Sequence, residues 1–296
     1  MLSADTQQVQ WWLAQRSLLH GSNEADKALR HSTLLELSDQ SRLEILRIIA
    51  GAGLGHVGGD FSVIDILTTL YFSVLNIDPQ NPEKEDRDWL ILSKGHCAAA
   101  IYVTLARSGY FPQAELSTFM KPLSFLNGHP SRGKVPGVET STGPLGHGLP
   151  VGVGGAIAAK LQKNSRQVFV IVGDGELQEG SNWEAAMSAS HYKLNNLTVI
   201  VDRNGLQQGD STENTNQLEP LDEKWASFGW EVIHVDGHSP TSLLEAMNTT
   251  RSDKPRVLIA KTIKGKGVSF MENKAEWHHK VPSPEQVNAA IAEITS

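Results

Sequence analysis

Two strand-to-turn junctions carry the residues best suited to chemistry. The apolar run Val168–Val172 breaks at Gly173-Asp174-Gly175, and a second run, Leu197–Val201, breaks at Asp202-Arg203-Asn204-Gly205. Asp174 offers a carboxylate, Asn204 an amide oxygen, and a backbone carbonyl near Leu206 a third oxygen. Hard oxygen donors of this kind suit Mg2+ or Ca2+ better than zinc, and Mg2+ usually completes its octahedron with water and phosphate oxygens. Gly173 and Gly175 leave room for a phosphate to approach the backbone, and their N–H groups can donate to it. Taken alone, these residues describe a metal–diphosphate clamp. The plainer alternative is a tight strand–helix turn with Asp174 as a cap. The return of Asn204 after the second strand weighs against it.

For the donors to meet, the two runs must be buried parallel strands of one βαβ unit, with both carboxyl ends at the edge where open α/β sheets bind ligands. A helix is expected between them, opened by a capping box at Ser181–Glu184. Glu231–Val235 and Arg256–Ala260 read as further parallel strands with a helix at 240–251, and Trp89–Leu92 as a short strand. The fold expected is α/β, an open and mostly parallel sheet with helices on both faces. Leucines and isoleucines near helical spacing mark a helix over 31–50, with an interior break at Asp39 or Ser41. Residues 61–75 form an apolar, buried helix. Residues 127–155 are a glycine- and proline-rich loop until about Leu149, long enough to expect function, and a small-residue helix follows from Pro150. The division expected is an extension over 1–30, a binding domain over 31–280 and a terminal helix over 281–296.

At 296 residues, with 40% hydrophobic and 20% charged residues and a net charge of −7, the chain has the composition of a globular domain that does not bind nucleic acid nonspecifically. That charge also means that a polyanionic cofactor needs a cation to be held. Cys97 is the only cysteine, so no intrachain disulfide forms, and a core-facing role is expected for it. No run approaching a membrane span is evident, and Asp5 stands where a signal peptide would have a basic residue; a cytoplasmic location is expected. Residues 53–58, GLGHVG, match G-x-G-x-x-G, which would suggest an NAD-dependent oxidoreductase. The preceding SRLEILRIIA has Ser41, Arg42, Glu44 and Arg47 on one helical face, where that motif requires a strand.

The central stretch resembles the thiamine diphosphate signature, GDG followed after the next strand by Asn. More closely it resembles the transketolases, which continue as GDG-x-x-x-EG: here Gly173-Asp174-Gly175-Glu176-Leu177-Gln178-Glu179-Gly180. Four further strings fit that family: Leu92-Ser-Lys-Gly-His96, PGVETSTGPLG at 136–146, KTIKGKG at 261–267, and Trp277-His278. The resemblance implies that Asp174, Asn204 and the Leu206 carbonyl hold Mg2+, with Ca2+ or Mn2+ able to substitute. It puts Gly173, Gly175, Lys264 and His278 at the diphosphate, and Gly143, Pro144 and Leu145 against the thiamine rings. It places His56 beside the substrate's reacting oxygens and His96 at the cofactor's reactive carbon, with His278 as a third assisting imidazole. Glu179 and Glu184 would face a partner domain and pair with its catalytic glutamate. Three positions depart from the family: Ile77 stands for a diphosphate-contacting histidine, a loss Lys264 would offset, His147 for a common Gln, and His279 for Gly.

The resemblance covers about residues 40–280, the diphosphate-binding domain and no more. It therefore implies the amino-terminal subunit of a split transketolase, completed by a carboxy-terminal subunit that brings the pyrimidine-binding domain and the glutamate. A heterotetramer with two copies of each chain is expected. The implied reaction moves a two-carbon ketol unit from a ketose phosphate to an aldose. The alternatives are a subunit of another thiamine diphosphate enzyme, a dehydrogenase or decarboxylase, and a noncatalytic cofactor-binding regulatory protein.

Overall fold

The computed structural model describes residues 2–19 and 23–296; Met1 and residues 20–22 of the expected extension lie outside it. Asp5 accepts from the Gln8 amide and starts α1 (Thr6–Leu18). Trp12 Nε1 and Arg16 Nη1 both donate to the Tyr71 carbonyl, which ties α1 to the body of the protein. Asn23 and Asp26 cap each other at the start of α2 (Glu24–Ala52). α2 runs unbroken through the expected boundary at residue 30 and the expected break at Asp39 or Ser41. No break is needed, because the Ser38 and Ser41 hydroxyls donate back to the Leu34 and Leu37 carbonyls. The helix expected before GLGHVG is present, so the strand a dinucleotide motif requires is not; within it Ser41 and Arg42 are buried, and Arg42 reaches Asp65 on the next helix.

That helix, α3 (Val57–Thr69), continues into one wider turn at Leu70–Val74. By length and apolarity Val57–Val74 could cross a membrane, contrary to the expectation from sequence, but it is enclosed by other helices. β1 (Trp89–Leu92) and α4 (Ala98–Arg107) follow, then α5 (Gly148–Leu161), which starts two residues ahead of the expected Pro150. The central unit is β2 (Val168–Gly173), α6 (Gly180–His191) and β3 (Leu197–Arg203). The expected capping box at Ser181 is absent. α6 begins at Gly180 with Glu179 as its cap position, and the Ser181 hydroxyl donates to the Gly146 carbonyl instead. After α7 (Thr212–Thr215) and α8 (Leu221–Ser227) come β4 (Glu231–Asp236), α9 (Pro240–Asn248) and β5 (Arg256–Lys261). α10 (Pro284–Ile294) closes the chain, capped by Ser283 and Gln286.

The five strands form one parallel sheet in the order β1-β2-β3-β5-β4, as the α/β expectation requires. Alternation along each strand feeds two cores. Phe169 and Ile171 pack with α2, α3, α4 and α9, whereas Val168, Val170 and Val172 pack with α5, α6 and α8. Gly173 pairs with Asp202 at the carboxyl end of the register, so the turns after β2 and β3 leave the sheet side by side.

Candidate active site

Those two turns floor a cavity of about 270 Å3 at the carboxyl edge of the sheet. Gly173, Asp174, Gly175, Asn204 and Leu206 line it on one side. The buried Asp174 carboxylate accepts from the Gly175 amide at 2.8 Å, the Gly205 amide at 2.5 Å and Arg203 Nη1 at 3.2 Å. Burial pushes its pKa up and Asp202 adds to the push, while these donors oppose it. Asn204 Oδ1 accepts from the Leu206 amide at 3.1 Å, which folds the turn back and keeps the amide oxygen near the rim. One expectation needs correction. The Gly173 amide donates to Glu176 Oε2 at 3.0 Å and the Gly175 amide to Asp174 Oδ1 at 2.8 Å, so both are engaged within the protein rather than free for a phosphate.

The opposite side is a wall of imidazoles. His56 begins α3, His96 directly precedes Cys97 at the start of α4, and His278 ends a short turn after the β5 loop. Their ring centroids lie 5.2 Å (His56–His96), 5.1 Å (His96–His278) and 5.5 Å (His56–His278) apart. Burial lowers the pKa of His56 to about 4, helped by His279 and His129. Burial and the neighbouring Lys264 lower His278 to about 3. Burial and Lys94 hold His96 well below the usual imidazole range. All three are neutral at physiological pH. Lys264 Nζ lies 3.0 Å from His278 Nδ1, and burial beside Lys94 lowers the Lys264 amine to about 8.

Gly143 and Leu145 also line the cavity. Gly143 has φ 147°, and a Cβ there would lie 3.3 Å from the His129 ring, so the loop needs glycine at this crossing. Pro144 is exposed and outside the lining, as are Glu179 and Glu184. The structure therefore does not bring Pro144, Glu179 and Glu184 into the cavity itself: Pro144 is exposed on its loop, and the two glutamates, at the cap position and in the first turns of α6, are exposed outside the lining. Ile77 packs on the core and does not reach the cavity. His147 is exposed, its Nδ1 2.9 Å from the Leu145 carbonyl.

Several lining residues received no role from the sequence: Lys94, His129, Glu176, Gln207 and Gln208. Lys94 forms a buried ion pair with Asp202, whose other oxygen accepts from Thr262. Burial works against ionised Asp202, yet Lys94 together with the Ser62 and Thr262 hydroxyls outweighs it and keeps the carboxylate below its ordinary range. Glu176 accepts from Ser93, the Gly146 amide and the Gly173 amide, and so joins three loops beneath the cavity. Lys94 and Glu176 lie inside the very strings that carried the resemblance, and that was the available signal. Cys97 is buried, as expected, and burial pushes its thiol up to about 12.

The donor set fits a divalent cation with a diphosphate. Asp174 brings a carboxylate and Asn204 an amide to a lining that includes Leu206, and no cluster of three or more His, Cys, Asp or Glu able to hold a metal occurs among the described residues. Lys94 is neutralised by Asp202, whereas Lys264, only 2% exposed, has the neutral His278 as its hydrogen-bond partner. A buried amine without a carboxylate partner suits an anion in the cavity.

Residues 36–292 match the family described as "Transketolase, thiamine diphosphate binding domain". The chain is similar to an apulose-4-phosphate transketolase subunit of Actinobacillus succinogenes, 48% identical over 86% of this chain and 92% of the relative. It is also similar to a 6-deoxy-6-sulfo-D-fructose transketolase subunit of a Clostridium species, 40% identical over 84% of this chain and 91% of the relative. Among solved structures it resembles the transketolase of Campylobacter jejuni with a TM-score of 0.84 and 31% identity, covering 88% of this chain but 42% of that one. Sequence, fold and cavity agree, and the chain belongs to the family of transketolase thiamine diphosphate-binding domains.

Proposed function

We propose that this chain is the cofactor-binding subunit of a two-chain transketolase, which moves a two-carbon ketol unit from a ketose phosphate to an aldose. The observation that carries the reading is one cavity with a hard-oxygen rim on one side and neutral imidazoles with a buried amine on the other. Asp174, Asn204 and the Leu206 carbonyl hold Mg2+ at the rim, and Lys264 and His278 meet the diphosphate. Gly143 and Leu145 bear on the thiamine rings. When bound, thiamine diphosphate supplies an electron-rich carbon able to make and break carbon–carbon bonds beside a carbonyl. His56, His96 and His278, neutral at working pH, donate to or take protons from the substrate oxygens.

A partner completes the site. The relatives named as transketolase subunits are matched over nearly their whole length, whereas the chain spans 42% of the Campylobacter enzyme. Glu179 and Glu184, exposed beside the cavity, face that partner and pair with its catalytic carboxylate. Calorimetric titration with thiamine diphosphate and Mg2+ tests the reading, repeated in EDTA and with a copurified second chain of roughly 35 kDa, the size of one large or two small further domains. Metal-dependent heat with either preparation supports it; no heat with both overturns it. Glu179→Gln should leave that heat unchanged and slow turnover with the partner present. A variant as fast as wild type would remove Glu179 from the chemistry.

A further inference from the structure

Behind the Lys264 loop lies a polar chain that the proposed chemistry does not use. Arg42 on α2 donates through Nη2 to Asp65 Oδ2 on α3. The same oxygen lies 2.6 Å from His238 Nδ1, in the turn between β4 and α9. The other imidazole nitrogen, Nε2, lies 2.8 Å from the Ile263 amide, in the loop that follows β5. A backbone N–H can only donate, so Nε2 carries no proton, and the proton on Nδ1 is the one Asp65 receives. The ring is locked as one neutral tautomer with each nitrogen committed. The side chains of Arg42, Asp65 and His238 are 4%, 1% and 11% exposed, and none lines the cavity.

What this chain of bonds holds is the main chain beside Lys264. Gly265 is fixed from the other direction, its amide donating to the Gly58 carbonyl on α3 at 2.9 Å, and the Lys264 carbonyl accepts from the Asn273 amide at 3.0 Å. Lys264 is thus the middle residue of a segment pinned on both sides, and its amine enters the cavity from there. Without an acceptor at His238 Nε2, the Ile263 amide would be left unpaired in a partly buried position and the segment would shift to satisfy it.

We propose that His238 is a positioning residue for Lys264: braced by Asp65 and Arg42, its Nε2 pins the Ile263 amide and thereby directs the Lys264 amine at the anion in the cavity. This rests on Lys264 as a diphosphate contact. The imidazole suits the task because its two nitrogens point in diverging directions on a rigid ring, one to a carboxylate and one to an amide. A single amide side chain serves one partner only. Gln reaches Ile263 with its carbonyl, and Asn reaches only as far as Asp65.

The test uses the full chain and a probe that requires no turnover, inorganic pyrophosphate with Mg2+ in a calorimeter. His238→Leu and His238→Asn should weaken binding about tenfold, the scale of one buried hydrogen bond. His238→Gln should stay within about threefold of wild type on the same scale. In a Lys264→Met background, His238→Leu should cause no further loss, because the effect passes through the amine. Losses that multiply, or an Asn variant that binds better than the Gln variant, would reduce His238 to a structural residue. If His238→Leu does not fold, the Asn and Gln pair decides alone. A Lys264→Met chain that binds pyrophosphate like wild type would remove the diphosphate role of Lys264, and the positioning role with it.

Discussion

The two sides of the cavity handle charge in opposite ways. On the rim, the Asp174 carboxylate is buried yet ringed by the Gly175 and Gly205 amides and Arg203, all donors to its charged form. On the wall, His56, His96 and His278 are buried among one another and beside Lys264 and Lys94, so every neighbour penalises a further positive charge. The same burial therefore serves two ends. It raises the cost of an ionised rim, which the proposed cation would offset, and it strips the wall of charge, which leaves neutral imidazoles whose nitrogens can hydrogen-bond without carrying a proton. Divergent environments for neighbouring titratable groups are how one site separates an electrostatic task from a proton-transfer task.

The comparison breaks most sharply if the rim is disarmed. Asp174→Ala removes the only charged oxygen ligand proposed and should weaken Mg2+-dependent thiamine diphosphate binding by more than roughly a hundredfold, beyond what loss of an outer ligand contact costs. Unchanged affinity in calorimetry would show that the rim is not a metal site. A smaller effect is expected one layer down. Glu176→Gln turns one acceptor oxygen into a donor, yet Glu176 faces the Gly146 amide with one oxygen and the Gly173 amide with the other. Two donors would then meet, and urea unfolding should show a loss of about 1–3 kcal/mol. A neutral substitution would mean that the loops are joined by packing alone.

Sequence legibility divides along the same line. Asp174 and Asn204 are readable because strand periodicity and a turn fix where a residue emerges from a parallel sheet, and the five-stranded architecture follows from the same pattern. The histidine wall is readable only through family strings, since nothing local says that His56 on one helix will meet His278 far along the chain. The polar layer beneath is not readable at all. Lys94 finds Asp202 across 108 positions and Ser93 finds Glu176 across 83, and such pairings are set by tertiary approach rather than by spacing. Where a local pattern misleads, a distant group has displaced it. Ser181 has the spacing of a cap, but the Gly146 carbonyl, 35 positions away, takes its hydroxyl. Arg42 stands on a polar helical face in the sequence, and only the tertiary approach of α3 shows that Asp65 gives it a buried partner.

A pH series sharpens the comparison most, because two groups near the wall titrate with opposite signs over one range. His56 has its pKa lowered from 6.5 to about 4, so the unfolded chain binds its proton more readily. Its contribution to stability is complete above pH 6.5 and is lost as pH falls from there toward 4. Asp60, fully buried, is raised by desolvation from 3.8 to about 7. One of its oxygens accepts from the Ala100 amide at 2.9 Å and the other is unpaired among the described residues. Its ionised form burdens the fold above pH 7, and that burden is relieved as pH falls toward 3.8. In the wild-type chain the two trends partly cancel. As pH falls from 6.5 to 4, His56→Gln should therefore make stability rise more, or drop less, than in wild type. Asp60→Asn, which keeps an acceptor for Ala100, should make acidification more damaging. Urea midpoints for the three proteins at several pH values separate the trends, and parallel curves would mean that neither group changes its protonation on folding.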